Sequence, residues 1–244
     1  MGSEPVPGST DEIPKTDAYQ REVEAVVLDA LDDGIVLDRT VFYARGGGQP
    51  GDTGRIRWAD GEAAITDTAR RDGRPVHAIA PGPIPPPGTP VRAEIEWDRR
   101  HLLMRTHTAL HVLSGIVWRE YGAKVTGGNM EPGEARMDFE LDAMSGEFGK
   151  EVEAKINDGI ASDRAVRVQF VPRTQALADA DLIRTKVNLI PEAVDPIRVI
   201  DIEGIDRQAD GGTHVRATGE VGRVSVVKTE NKGKTFKRLR IRVE

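Results

Sequence analysis

Two histidines four residues apart form the first pattern in this chain that could do chemistry. His107 and His111 lie in segment 101–115, which also carries the apolar residues that a buried helix needs. Side chains four residues apart on a helix share one face, so both imidazoles would point to the same place. Neutral imidazole is the commonest metal ligand among protein side chains. The pair also has a plainer interpretation, in which one histidine is packed in the core and the other is solvated.

A second polar cluster lies far downstream. Asp210 and His214 are also four residues apart, and they flank a Gly-Gly pair. A helix that supplies two ligands and a distant loop that supplies one or two more would make a metal site that depends on the fold. Zinc accepts both imidazole nitrogen and carboxylate oxygen. The chain has no cysteine, which excludes disulfides and thiolate ligands.

Four sets of residues carry a resemblance to a known family. They are, in chain order, the glycine-rich segment 42–54, the histidine segment 105–111, the strand segments 125–128 and 136–139, and the second cluster at 206–215. Together they resemble the editing domain of alanyl-tRNA synthetase and the free-standing AlaX proteins, which hydrolyse mischarged tRNA for alanine. Four motifs in this order are specific, whereas any one of them alone would not be.

The resemblance implies one zinc ion (Zn2+) per chain, bound by His107, His111 and His214 with Asp210 as a fourth ligand. The family usually has cysteine where this chain has Asp210. A carboxylate is a harder ligand than a thiolate, so the metal preference could shift towards other divalent ions. In the alternative interpretation, Asp210 never touches a metal and only caps the Gly-Gly turn, as aspartate often does.

The resemblance also implies hydrolysis of the ester bond in seryl-tRNA for alanine and, in some members, in glycyl-tRNA. A synthetase pocket discriminates poorly against one added hydroxyl, so a second, hydrolytic site has to read that hydroxyl. The catalytic candidates are the amides of Gly211 and Gly212, which could stabilise an oxyanion, and Thr126, which could read the serine hydroxyl. The substrate-binding candidates are Gly47, Gly48, Gln49, Thr108 and Gln208. The alternatives are a tight β-turn at residues 47–49 and purely structural roles for the two threonines.

The order of predicted elements gives an α+β fold. Segment 18–97 has short apolar runs separated by turn signals, which is typical of a small β-barrel. A helix is predicted from Asp98 to Tyr121. Further strands are predicted at 123–128, 135–141, 166–171 and 197–202, helices at 145–163 and 174–180, and a final hairpin at 222–227 and 238–243. The resemblance implies that this part carries two helices on an antiparallel sheet, the fold of threonyl- and alanyl-tRNA synthetase editing domains.

These elements predict three regions. Residues 1–17 are rich in proline, serine, threonine and acids, which indicates a flexible tail. Residues 18–97 form the predicted barrel domain and residues 98–244 the metal-binding domain. No apolar run approaches the roughly 18–20 residues of a membrane span, and the first residues do not read as a secretory signal. A cytoplasmic monomer or homodimer is expected.

The charge balance bears on the expected partner, the acceptor end of tRNA for alanine. The formal net charge is −6, a mild objection because phosphate favours basic surfaces. Segment 228–242 nevertheless holds seven basic residues against one acid and could meet the acceptor stem. Its alternative interpretation is a solvated final hairpin.

Two other functions stay open at this point. One is a catalytically degenerate or repurposed relative that binds tRNA or another partner, which the missing cysteine and the acidic charge favour. The other is a metal-dependent hydrolase of a different ester. The chain has no synthetase catalytic motif, so it is not expected to charge tRNA or to use ATP.

Overall fold

The computed structural model describes residues 9–141, 147–179, 181–183, 190–231 and 236–244. The chain forms two compact units, Met1–His101 and Leu102–Glu244. The domain limits 18–97 and 98–244 stay a prediction. Within the described residues, no helix is both long and apolar enough to cross a membrane.

The first unit is built on strands. They are β1 (Asp11–Glu12), β2 (Glu22–Leu31), β3 (Gly34–Leu37), β4 (Arg39–Thr40), β5 (Gly54–Trp58), β6 (Gly61–Arg71), β7 (Arg74–Ile79) and β8 (Pro90–Ile95), with a 3₁₀ helix at Ile13–Lys15. Six of them close into a barrel in the order β2-β3-β7-β6-β5-β8, so the predicted barrel is confirmed. Residues 1–8 of the predicted tail lie outside the described residues. Strand β1, which also belongs to the predicted tail, pairs with β4.

The barrel follows from alternating side chains. Along β2, Val23, Ala25 and Val27 are buried, and Glu24 and Val26 between them are exposed. A strand with this period buries one face and solvates the other. The turn signal Asp32-Asp33-Gly34 joins the first two of these strands, because Leu31 of β2 pairs with Gly34 of β3 across a two-residue turn.

His77 is a buried polar group in the barrel core. Its Nδ1 lies 3.2 Å from the carbonyl of Ile35 and its Nε2 lies 2.7 Å from Oγ1 of Thr40. The same hydroxyl accepts the N–H of Phe42 at 3.0 Å. A carbonyl can only accept, so Nδ1 carries the proton and Nε2 accepts from the threonine. The neutral ring therefore satisfies every partner in this network.

This burial predicts a pH dependence of stability. Burial lowers the pKa of His77 to about 4 from its usual 6.5, so the unfolded chain binds the extra proton more readily than the folded one. The stabilising contribution is complete above pH ~6.5 and is lost as the pH falls through ~4, by about 3 kcal/mol in total. Chemical denaturation of the parent chain and of a His77→Gln variant at pH 7.5 and 4.5 measures it. The variant should show a shallower pH slope, and equal slopes would refute the assignment.

The second unit mixes helices and strands. Its elements are α1 (Trp97–Tyr121, which begins in the first unit), β9 (Val125–Glu131), β10 (Glu134–Glu140), α2 (Phe148–Ala161), β11 (Val166–Val171), α3 (Arg173–Ala178), β12 (Ile197–Ile202), β13 (Asp206–Ala209), β14 (Val224–Asn231) and β15 (Phe236–Val243), with a 3₁₀ helix at Thr218–Val221. The described strands form two antiparallel sheets, in the orders β14-β15-β10-β9 and β11-β12-β13. The predicted α+β class is confirmed.

Most of the predicted elements in this unit are present, with one main difference. Helix α1 ends at Tyr121, as predicted, and Gly122 follows it with a φ of +61°, which suits a glycine after a helix. The sequence predicts a loop at 206–215, but its first four residues form β13, which pairs with β12. The predicted start of the helix at 145–163 and the predicted end of the helix at 174–180 lie outside the described residues.

Candidate metal centre

Helix α1 supplies two of the candidate ligands. Its apolar residues Leu103, Leu110 and Leu113 are buried, which fixes the helix in the unit. His107 and His111 lie one turn apart on it, 4% and 7% exposed. Their ring centroids are 5.2 Å apart. The expectation that both imidazoles share one side of the helix is therefore met.

The hairpin of β12 and β13 supplies the other two. Directly after β13, the N–H of Asp210 donates to the carbonyl of Arg198 at 3.2 Å and extends the pairing. The N–H of Gly212 then donates to Oδ2 of Asp210 at 2.6 Å. This turn brings His214 back beside Asp210. Asp210 thus caps the Gly-Gly turn and faces the histidines at the same time, so the two interpretations of this residue do not exclude each other.

All four side chains converge. Oδ1 of Asp210 lies 3.5 Å from Nε2 of His107 and 4.0 Å from Nε2 of His111, and Oδ2 lies 3.1 Å from Nε2 of His214. The candidate ligand atoms lie within 4.8 Å of one another. Nitrogen and oxygen ligands about 2.1 Å from one ion would lie roughly 3.4 Å apart in a tetrahedron. Small shifts of the side chains would therefore let one ion contact all four.

The protonation states suit a cation. Burial lowers the pKa of His107 to about 4 and holds that of His214 well below its usual value. Both rings are therefore neutral at pH 7, and a neutral imidazole can bind a cation through its unprotonated nitrogen. Burial alone would raise the pKa of Asp210, but the neighbouring histidines, His107 first, hold it well below its usual value. Neutral nitrogen donors around one carboxylate are a donor set that divalent zinc and similar ions accept.

His111 has a carboxylate behind it. Burial lowers the pKa of His111, but the hydrogen bond and the charge of Asp206 outweigh this and raise it. Oδ2 of Asp206 lies 2.8 Å from Nδ1 of His111. Sequence reasoning gave Asp206 no role. Asp206 and Gln208 alternate on β13, so they share a face of that strand. The sequence shows this spacing, but without a strand signal it did not indicate a role for Asp206.

Arg198 is a second residue that sequence reasoning missed. It is only 8% exposed. Its Nη1 donates to the backbone carbonyl of Asp210 at 2.9 Å and lies 3.8 Å from Oδ2 of that residue. Its place within an apolar strand gave no indication of a functional neighbour. A buried guanidinium here fixes the backbone of a candidate ligand.

Helix α1 packs closely on the turn between β12 and β13, which keeps His111 near Asp206. A Cβ atom added at Gly115 would lie 2.4 Å from the carbonyl oxygen of Ile205 and 3.0 Å from Cβ of Asp206. Only glycine allows backbone and helix to approach this closely. Gly115 lies one turn beyond His111, so this approach brings Asp206 to the back of the His111 ring.

Two of the other predicted site residues touch this cluster. Oγ1 of Thr108 lies 3.2 Å from Nδ1 of His214 and accepts the N–H of Val215 at 3.3 Å. Nε2 of Gln208 donates to Oδ2 of Asp206 at 2.8 Å. Both therefore contact residues that surround the candidate ligands, and their predicted role towards substrate stays a prediction.

Four further predicted residues, Thr126, Gly47, Gly48 and Gln49, have local surroundings that the structure describes. Thr126 is half-buried on the edge strand β9, where the register to β10 shifts and leaves it without an opposite residue. In the first unit, Gly47 and Gly48 have φ values of +57° and +85°, and Gly46 and Gln49 exchange two backbone hydrogen bonds across them. This is the tight β-turn of the alternative interpretation. Gln49 is buried.

The basic C-terminal strand is paired with acids. Arg238 bonds Asp138 at 2.6 Å, Arg240 bonds Glu230 at 3.0 Å, and Arg242 bonds Glu134 at 2.9 Å. Lys232 and Lys234 lie outside the described residues. The pairing agrees with a solvated hairpin. The paired acids partly neutralise these three arginines, which weakens their attraction for a nucleic acid.

Comparison with known proteins places this chain in a family. Residues 11–99 match the class II (A) tRNA synthetases, and residues 197–240 match the threonyl and alanyl tRNA synthetase second additional domain. The chain is 37% identical to the alanyl-tRNA editing protein AlaX-M of Methanosarcina acetivorans over 91% of this chain and 94% of that protein. It is 35% identical to the AlaX-M of Saccharolobus solfataricus over 94% and 97%. It also matches one quarter of the alanine–tRNA ligase of Pyrobaculum calidifontis, at 37% identity over 25% of that protein. The chain therefore belongs to the AlaX-M family of alanyl-tRNA editing proteins.

Proposed function

We propose that this chain is a metal-dependent, trans-acting hydrolase that removes serine, and in some cases glycine, from mischarged tRNA for alanine. The single observation that carries the proposal is the convergence of His107, His111, Asp210 and His214 within 4.8 Å in a buried site. The relatives are alanyl-tRNA editing proteins, which supplies the reaction class. The acceptor end of that tRNA is the proposed partner, and the cytoplasm is the proposed place of action.

The three histidines and Asp210 would hold the ion. A divalent zinc bound there would lower the pKa of a water or polarise the ester carbonyl. The protein's part is to orient these ligands and to keep the rings neutral.

The proposed oxyanion donors are the amides of Gly211 and Gly212. Gly211 is exposed, and an added Cβ atom would meet nothing within 4 Å, so a substrate atom can approach its backbone. The Gly212 amide would contribute only if its bond to Asp210 were released. Gly211 is therefore the stronger candidate of the two.

The residues proposed to recognise the substrate are assigned by the resemblance. Thr126, at the irregular point of β9, is proposed to read the serine hydroxyl, since bulges re-aim side chains beside active sites. Gly47, Gly48 and Gln49 are proposed to approach the terminal nucleoside. These roles predict losses in serine selectivity and in substrate affinity, respectively, when the residues are changed.

The degenerate-relative alternative loses its main support. It was based on Asp210 in the place of cysteine, but Asp210 presents its carboxylate to all three histidines. A carboxylate is an adequate zinc ligand. The hydrolase interpretation therefore has a complete donor set.

A deacylation assay tests the proposal. The purified chain is incubated with seryl-, glycyl- and alanyl-tRNA for alanine without ATP, and the release of amino acid is followed. We expect rapid loss of serine and little loss of alanine. If the metal-loaded chain binds charged tRNA but releases no amino acid above the buffer rate, the binding-module alternative is correct. Release from simple esters alone would favour a different hydrolase.

A further inference from the structure

His111 is held from behind by a buried carboxylate. Oδ2 of Asp206 lies 2.8 Å from Nδ1 of His111, and the Asp206 side chain is 0% exposed. An ionised carboxylate only accepts hydrogen bonds, so the proton sits on Nδ1 of the ring. The lone pair on Nε2 then points to the side where Asp210 lies, 4.0 Å away.

The carboxylate is itself held in place. Nε2 of Gln208 donates to the same oxygen of Asp206 at 2.8 Å and lies 3.1 Å from Oγ of Ser114. Ser114 is 2% exposed and lies on α1 three residues after His111. Gln208 and Asp206 on β13 therefore connect Ser114 to His111, both of which lie on α1.

His214 is held differently. Its Nδ1 lies 3.2 Å from the neutral hydroxyl of Thr108. A charged acceptor forms a stronger hydrogen bond than a neutral one. Asp206 is therefore the stronger of these two supports, and its removal should disturb the ligand set more.

We propose that Asp206, held by Gln208 and Ser114, is a positioning residue that fixes the His111 ring with Nε2 aimed at the metal. The inference rests on the proposed metal-dependent function. It gives Gln208 a role in holding Asp206 instead of contacting substrate. Outer partners of this kind typically contribute a factor of roughly 10–100 to metal affinity.

The test is metal affinity of the full-length protein. Zn2+ binding is measured by competition with a fluorescent chelator, and Co2+ is added in parallel so that its visible absorption reports the ligand geometry. An Asp206→Asn variant keeps the size of the side chain but removes its charge. We expect its affinity to fall roughly 10- to 100-fold and its Co2+ spectrum to change. A Gln208→Met variant, which leaves the carboxylate in place, should show a smaller fall in affinity.

Asp201→Asn is the matched control. Asp201 lies on β12 and its carboxylate bonds Gln169 at 3.1 Å. Its replacement should leave metal affinity unchanged. Thermal unfolding of the metal-free variants establishes that each is folded.

Two outcomes would overturn the inference, and they are distinguishable. If the parent chain and all variants bind metal equally, the positioning role is wrong but the metal site stands. If the parent chain binds no metal, the proposed function fails and the inference fails with it. A Gln208→Met variant with normal metal affinity but a raised KM would instead restore its role as a substrate contact.

Discussion

Replacing His111 with alanine is expected to reduce the rate of seryl-tRNA hydrolysis by about 10³-fold or more. A bound metal ion typically contributes several kcal/mol to the stabilisation of a transition state, and each 1.36 kcal/mol is worth about tenfold in rate. His111 supplies one of three imidazoles at the cluster, and its ring centroid lies 4.7 Å from that of His214. The measurement is single-turnover deacylation at saturating protein.

His101 provides the matched control on the same helix. Its ring stacks on Trp97 with centroids 5.3 Å apart, and it does not belong to the four-residue cluster. His101→Ala should retain most of the activity. Both variants should give the circular dichroism spectrum of the parent. Undiminished hydrolysis by a folded His111→Ala variant would contradict the proposed mechanism.

Removing the carboxylate of Asp52 is expected to lower the free energy of unfolding by about 3–5 kcal/mol. Nε of Arg100 donates to both oxygens of Asp52, at 3.0 and 2.9 Å, and the two side chains are 0% and 1% exposed. The carboxylate also accepts the N–H of Tyr43 at 2.6 Å. Without it, a buried guanidinium and a partly buried amide would each lose a partner. Urea denaturation of Asp52→Ala against the parent chain measures the loss.

An exposed pair in the same barrel is the comparison. Arg55 bonds Glu94 through two hydrogen bonds of 2.9 Å, with side chains 48% and 32% exposed. Solvent-exposed pairs contribute about 1 kcal/mol or less, so Glu94→Gln should shift the midpoint little. Equal shifts for the two variants would mean that the Arg100–Asp52 pair does not anchor the unit. The prediction also gives Asp52, part of the glycine-rich motif, a structural role.

The elements that could be predicted are those whose patterns are local. Helix α1 follows from apolar residues at helical spacing, and that spacing alone places His107 and His111 on one side. Strand β2 follows from a short apolar run that ends at the turn signal Asp32-Asp33-Gly34. Donor chemistry allowed Asp210 and His214 to complete a site with the histidine pair, and the resemblance then assigned all four residues to one ion.

What could not be predicted depends on contacts between distant segments. Strand β13 has the polar sequence Asp-Arg-Gln-Ala and lacks apolar alternation, so it read as a loop; its conformation is fixed by pairing with β12. The contact of Asp206 with His111 joins residues 95 positions apart. Arg198 reaches Asp210 only because the β12–β13 register brings their backbones together. The tertiary structure, rather than local preference, decides these positions.

Metal content is the measurement that tests the central claim most directly. The chain is purified without chelator or nickel affinity resin, and bound metal is counted by elemental mass spectrometry. We expect about one divalent ion per chain, zinc before others, because zinc accepts a donor set of three imidazoles and one carboxylate. A His107→Ala/His111→Ala double variant should lose that ion. A folded parent chain that carries no metal and gains none when zinc is added would contradict the account, and a tRNA- or partner-binding role would then be the better explanation.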